Sequence, residues 1–160
     1  MEYAYAYLLI CDMPGDPADV TSRVGLAPTR VERKGESPHR VVLKNNRWIL
    51  ESPTSRDDCD LDHHIRDLLT LMEPKKKEIR AVVDQCFGRF TLVGSFHHAN
   101  DGFILSREQV SLISEMGLEL CSDLYFLGEK EPNKALEPTR TAVTSHACAC
   151  AAPAARVAHL

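Results

Sequence analysis

Three features of the sequence predict an α+β fold: an alternating run at its start, amphipathic stretches behind helix caps in the middle, and a second alternating run before a change of composition. Helices packed on a mixed or antiparallel sheet account for all three.

Residues 2–11 set Tyr3, Tyr5 and Tyr7 on one face and Ala4, Ala6, Leu8 and Ile10 on the other, which reads as a strand covered on both sides. Asp16 follows as an N-cap with Pro17 as first helical residue, where a missing N–H costs nothing. Val20 and Val24 form the inner stripe of that short helix, and Gly25 closes it. Residues 30–33 read as a strand, 34–38 break it, and 39–44 resume alternation. Asn45 and Asn46, suited to positive φ, join that run to 47–51 as a hairpin. Residues 52–60 form a polar loop. Behind Asp60 as a cap, Leu61, Ile65, Leu68, Leu69 and Met72 recur at helical spacing. Pro74 ends that helix and opens another, whose stripe of Ile79, Val82, Val83, Cys86 and Phe87 stops at Gly88. Residues 89–96 alternate as a strand and 103–105 form a short one. Ser106 and Gln109 make a capping box for a helix with Val110, Ile113 and Met116 turned inward, closed by Gly117. Residues 118–127 are the last strand.

Residues 16–26 and 106–118 share a cap, a Val four residues later and a Gly-Leu exit into an extended run. This similarity suggests two ferredoxin-like strand-helix-strand halves contributing to one sheet.

Residues 1–130 are read as a single domain and 131–160 as a non-globular tail rich in Ala, Thr and Pro, too poor in large apolar side chains to offset the entropy of ordering. The net charge is −4, and the tail from Asn133 contributes +2, which leaves the body near −6. An acidic body without a basic stripe speaks against nucleic acid as a partner. Nothing resembles a signal peptide or a membrane segment, so a cytoplasmic protein with six reduced cysteines is expected.

The densest polar cluster runs from Asp57 to His64. Asp60 with His64, and His63 with Asp67, have the spacing of paired metal ligands, but acidic residues also gather at a helix start to cap it. That capping role, with both histidines facing solvent, is the preferred reading. His97 and His98 read as a polar strand end, and Cys11, Cys86 and Cys121 as packing residues. No catalytic residue, metal ligand or cofactor is assigned. Asp123 lies among apolar strand neighbours, on the solvated face or beside a buried partner. Trp48, the only tryptophan, is expected to anchor the sheet under the loop of Lys34 and Gly35, or to wall a pocket. The three tyrosines of the first strand could form an aromatic platform. Trp48, Tyr5, Asp123, Lys34 and Gly35 are therefore the candidate ligand-binding residues.

As an ordered set, Gly25-Leu26 with Pro28-Thr29, Arg33 to Glu36, Arg47-Trp48 with Leu50, the helix ending at Pro74, Gly117-Leu118 and Asp123-Leu124-Tyr125 resemble the bacterial family catalogued as domain of unknown function 4279. The resemblance spans about residues 5–126 and implies a compact α+β domain of bacterial cytoplasm, without an activity to transfer. The tail resembles read-through of a repeat element from mobile gene cassettes. Small accessory-genome domains of this kind imply, by analogy, immunity-like or partner-binding roles. The expectation is a non-enzymatic binding or protein-interaction module, acting on a protein partner or as a homodimer. The alternative is a small-molecule-binding or metal-dependent enzyme with a pocket near Trp48 and Asp123.

Overall fold

The computed structural model describes residues 3–37, 42–56, Asp58, 60–96 and 102–128. The chain divides into two units, Met1–Lys130 and Glu131–Leu160. The second lies outside the described residues, and with it the expected non-globular tail. In chain order the elements are β1 (Tyr3–Cys11), α1 (Pro17–Val24), β2 (Arg30–Glu32), β3 (Arg47–Glu51), α2 (Leu61–Met72), a 3-10 turn (Glu73–Lys75), α3 (Lys76–Val83), β4 (Phe87–Phe96), α4 (Arg107–Glu115) and β5 (Glu119–Phe126).

One mixed five-stranded sheet has the order β2-β3-β1-β4-β5. β1 lies in the middle, antiparallel to both β3 and β4; β2 is antiparallel to β3, and β4 is parallel to β5. The α+β expectation holds. The two similar segments are joined differently, since β4 and β5 are direct neighbours whereas β3 separates β1 from β2.

The helices cover one face. Ala4, Ala6, Leu8 and Ile10 of β1, Trp48 and Leu50 of β3, and Phe90 and Leu92 of β4 meet Val20 and Val24, the apolar stripe of α2, Ile79 and Val82 of α3, Ile113 of α4 and Met116, its C-cap. Each large side chain buried this way contributes about 1.5–3 kcal/mol. Local signals set the helix ends: Asp16 accepts from the Ala18 N–H at 2.8 Å, Asp60 from the Asp62 N–H at 2.9 Å, and Ser106 with Gln109 closes the capping box. Gly25 ends α1 at φ 73°, a left-handed conformation that costs glycine nothing.

Several expectations are corrected. β3 takes β2 as its hairpin partner, and the run at 39–44 forms no strand in its described part, 42–44. Asn46 does not supply a tight turn with positive φ; its side-chain oxygen accepts from the Lys34 N–H at 2.8 Å and closes a longer loop. Residues 103–105 join no ladder. α3 stops at Val83, so that Cys86 sits in the turn and Phe87 opens β4, and Val110 is exposed because Leu112 and Ile113 of α4, with Met116 at its C-cap, turn inward.

Candidate functional site

The opposite face of the sheet has no helix over it among the described residues, and all four tyrosines lie there. Register sets three rows across β1, β4 and β5: Tyr3, Ser95 and Tyr125; Tyr5, Val93 and Asp123; Tyr7, Thr91 and Cys121. Alternation along β1 puts every second residue on this side, so the tyrosines stack up the strand. Ring centroids are 6.5 Å apart between Tyr3 and Tyr5 and 6.0 Å between Tyr5 and Tyr7, with interplanar angles of 28° and 22°. The Arg56 guanidinium lies 4.4 Å from the Tyr5 ring centre and pairs with Glu51 at 2.7 Å. Arg89 pairs with Glu119 at 3.0 Å, and Glu32 takes Arg30 at 3.0 Å and Arg47 at 3.4 Å. Each of these cations has a carboxylate, so the face is aromatic and charge-balanced.

Burial raises the Tyr5 pKa, with Arg56 opposing. The Asp123 carboxylate, accepting from the Tyr125 hydroxyl, raises that of Tyr125. Ser95, between Tyr3 and Tyr125, and Thr91, between Tyr7 and Cys121, are buried, and among the described residues neither hydroxyl has a hydrogen-bond partner, nor does the Arg89 Nε. Leaving such a group buried and unpaired costs about 1–3 kcal/mol.

Of the five candidates, Tyr5 and Asp123 share this face across Val93, roughly 10 Å apart at two strand spacings. Trp48 is on the helical face, fully buried, its Nε1–H donating to Thr21 Oγ1 at 3.0 Å and so tying α1 to β3. Lys34 and Gly35 form an exposed turn beyond β2, with Gly35 at φ 88°.

The expectation that His64 faces solvent is overturned: its position on α2 turns it into the core, with none of it exposed. The Asp58 carbonyl, which can only accept, lies 2.9 Å from Nε2, so Nε2 carries the proton and Nδ1 accepts from the Ser52 hydroxyl at 2.6 Å. This pair binds the chain after β3 to α2. His63 is exposed and pairs with Asp58 at 2.8 Å, which raises the histidine pKa and lowers that of the carboxyl. Asp67 is engaged by the Thr54 hydroxyl at 2.6 Å. Among the described residues no group of three or more His, Cys, Asp and Glu side chains is placed to hold a metal ion. Cys11 and Cys121 are half-buried on the tyrosine face, and burial raises the pKa of Cys11 and of Cys86. Cys59, Cys148, Cys150, His97 and His98 lie outside the described residues. No described helix is long and apolar enough to cross a membrane.

Sequence reasoning did not find Ser95, Thr91, Arg56 or Tyr125 as parts of one surface. The alternation of β4 and β5 held a partial signal, but only the register shows which alternate residues face the tyrosines.

No curated protein and no solved structure matches this chain significantly. One family model, described as Domain of unknown function (DUF4279), matches residues 1–127. The chain therefore belongs to the DUF4279 family.

Proposed function

We infer that the chain is a non-enzymatic protein-interaction module that docks a folded partner on the tyrosine face of its sheet. One observation carries this reading: a sheet face with no helix over it among the described residues, on which Tyr3, Tyr5 and Tyr7 stack along β1 with Arg56 laid over the middle ring. Tyrosine and arginine dominate the energetic centres of protein interfaces because they bring large rigid area and polar tips at low entropic cost. The Ser95 and Thr91 hydroxyls, without partners among the described residues, support the same reading. Two grooves, of about 440 and 400 Å³, lie among α2, α3 and α4, on the other side of the molecule from the tyrosines. A pocket enzyme would have to draw on Tyr5 and Asp123 without Trp48, which faces away from both.

The test is affinity capture with the full chain, the Tyr5→Ala variant and a helical-side control, Arg107→Glu, followed by titration of the purified partner. The wild type and the control are expected to bind alike, and Tyr5→Ala to lose at least about tenfold in affinity. A partner that binds Tyr5→Ala as tightly as wild type, or the absence of any specific partner, overturns the reading.

A further inference from the structure

β5 is the edge strand beyond β4, and its outer ladder has no partner among the described residues. Leu120 and Tyr125 are each 47 % exposed and Phe126 is 60 % exposed. An eight-residue edge bearing such side chains, and lacking the lysine or proline that usually protects an edge, is a template for another strand. Beside it Val110, Leu118 and Leu120 line a shallow groove of about 310 Å³ between α4 and β5.

We propose that β5 pairs antiparallel with β5 of a second copy of this chain, about a two-fold axis through Ser122, so that each five-stranded sheet continues into the other. An axis perpendicular to the sheet keeps both helical layers on one side, so facing residues share a face and the axis passes through a residue. Centred on Ser122, Leu120 meets the second copy's Leu124, and Leu118 meets its Phe126. Glu119 meets its Tyr125, and Cys121 meets its Asp123. The exposed Phe126 ring thus comes beside the groove lined by Val110 and Leu120, and each copy supplies both ring and groove. The adjacent registers are penalised by charge. Centring on Cys121 sets Glu119 against Asp123, and centring on Asp123 sets that carboxylate against its own copy. The contact uses an edge and leaves the tyrosine face open on both copies, so it goes beyond the docking role above.

Analytical sedimentation of the full chain should show a concentration-dependent rise from 17.9 kDa to twice that mass. Ser122→Asp and Ser122→Lys each place like charges across the axis and should stay at 17.9 kDa, while their equimolar mixture should recover the doubled mass. Ser122 is exposed, so both variants are expected to fold, which circular dichroism checks. A wild-type chain that stays monomeric overturns the proposal and leaves the edge to a strand of some other protein. Variants that dimerise like wild type, or a mixture that stays monomeric, overturn the register. Loss of partner capture by Tyr5→Ala would leave all of these masses unchanged, so the two proposals fail separately.

Discussion

The two faces of one sheet follow different rules. On the helical side the polar groups within the core are matched: Trp48 donates to Thr21, and both nitrogens of His64 are engaged. On the tyrosine side the rings are half-exposed, and the three buried polar side-chain atoms without partners among the described residues, Arg89 Nε, Thr91 Oγ1 and Ser95 Oγ, all belong to it. The same strands build both, so the difference arises from alternate residues of β1, β3 and β4. One face is devoted to holding the fold, and the other is held by it.

The largest test of that division compares two aromatic truncations. Phe90 is fully buried beneath the helices, and Phe90→Ala is expected to cost about 3–5 kcal/mol through lost transfer energy and the cavity it leaves. Tyr5→Ala, on the central strand of the other face, is expected to cost about 1 kcal/mol, the scale of a cross-strand aromatic pair. Urea unfolding followed by Trp48 fluorescence measures both. Equal losses would mean that the tyrosine face is core after all.

A smaller test removes one hydroxyl from each side. Thr21→Val strands the buried Trp48 N–H and is expected to destabilise by about 1–3 kcal/mol. Ser95→Ala removes a hydroxyl that has no partner, so its effect is expected to be neutral or stabilising. Opposite signs for such similar edits would support the contrast; a clear loss from Ser95→Ala would show that its hydroxyl has a partner in solution.

Local chemistry was legible in the sequence. The caps at Asp16, Asp60 and Ser106 and the alternation of β1 depend on neighbours within four residues, and the structure keeps them. Long-range choices were not legible. Asn45-Asn46 has turn composition, yet the Lys34 N–H claims Asn46 and moves the hairpin partner of β3 back to β2. His64 adjoins exposed His63 but falls on the buried stripe of α2 with Leu61, Ile65 and Leu68, and only the fold shows that Ser52, after β3, is there to pair with its ring. Trp48 and Asp123 were both plausible pocket walls, but strand parity puts them on opposite sides, a fact fixed by register rather than by composition.

The smallest expected effect isolates the tyrosine face optically. All four tyrosines sit there and the lone tryptophan sits on the helical side, so phenolate absorbance in an alkaline titration reports one face alone. Tyr5, through burial, and Tyr125, through Asp123, hold their protons above the ordinary tyrosine value of 10.0. The folded protein therefore binds these protons more tightly than the unfolded chain does. The stability this gives is complete below pH 10.0 and is lost as pH rises through the folded values. Asp123→Asn removes the charge that holds the Tyr125 proton, so that phenol should titrate lower while the burial-driven shift of Tyr5 remains. An Asp123→Asn titration superimposable on wild type would detach Asp123 from Tyr125, and with it the outermost row of the face.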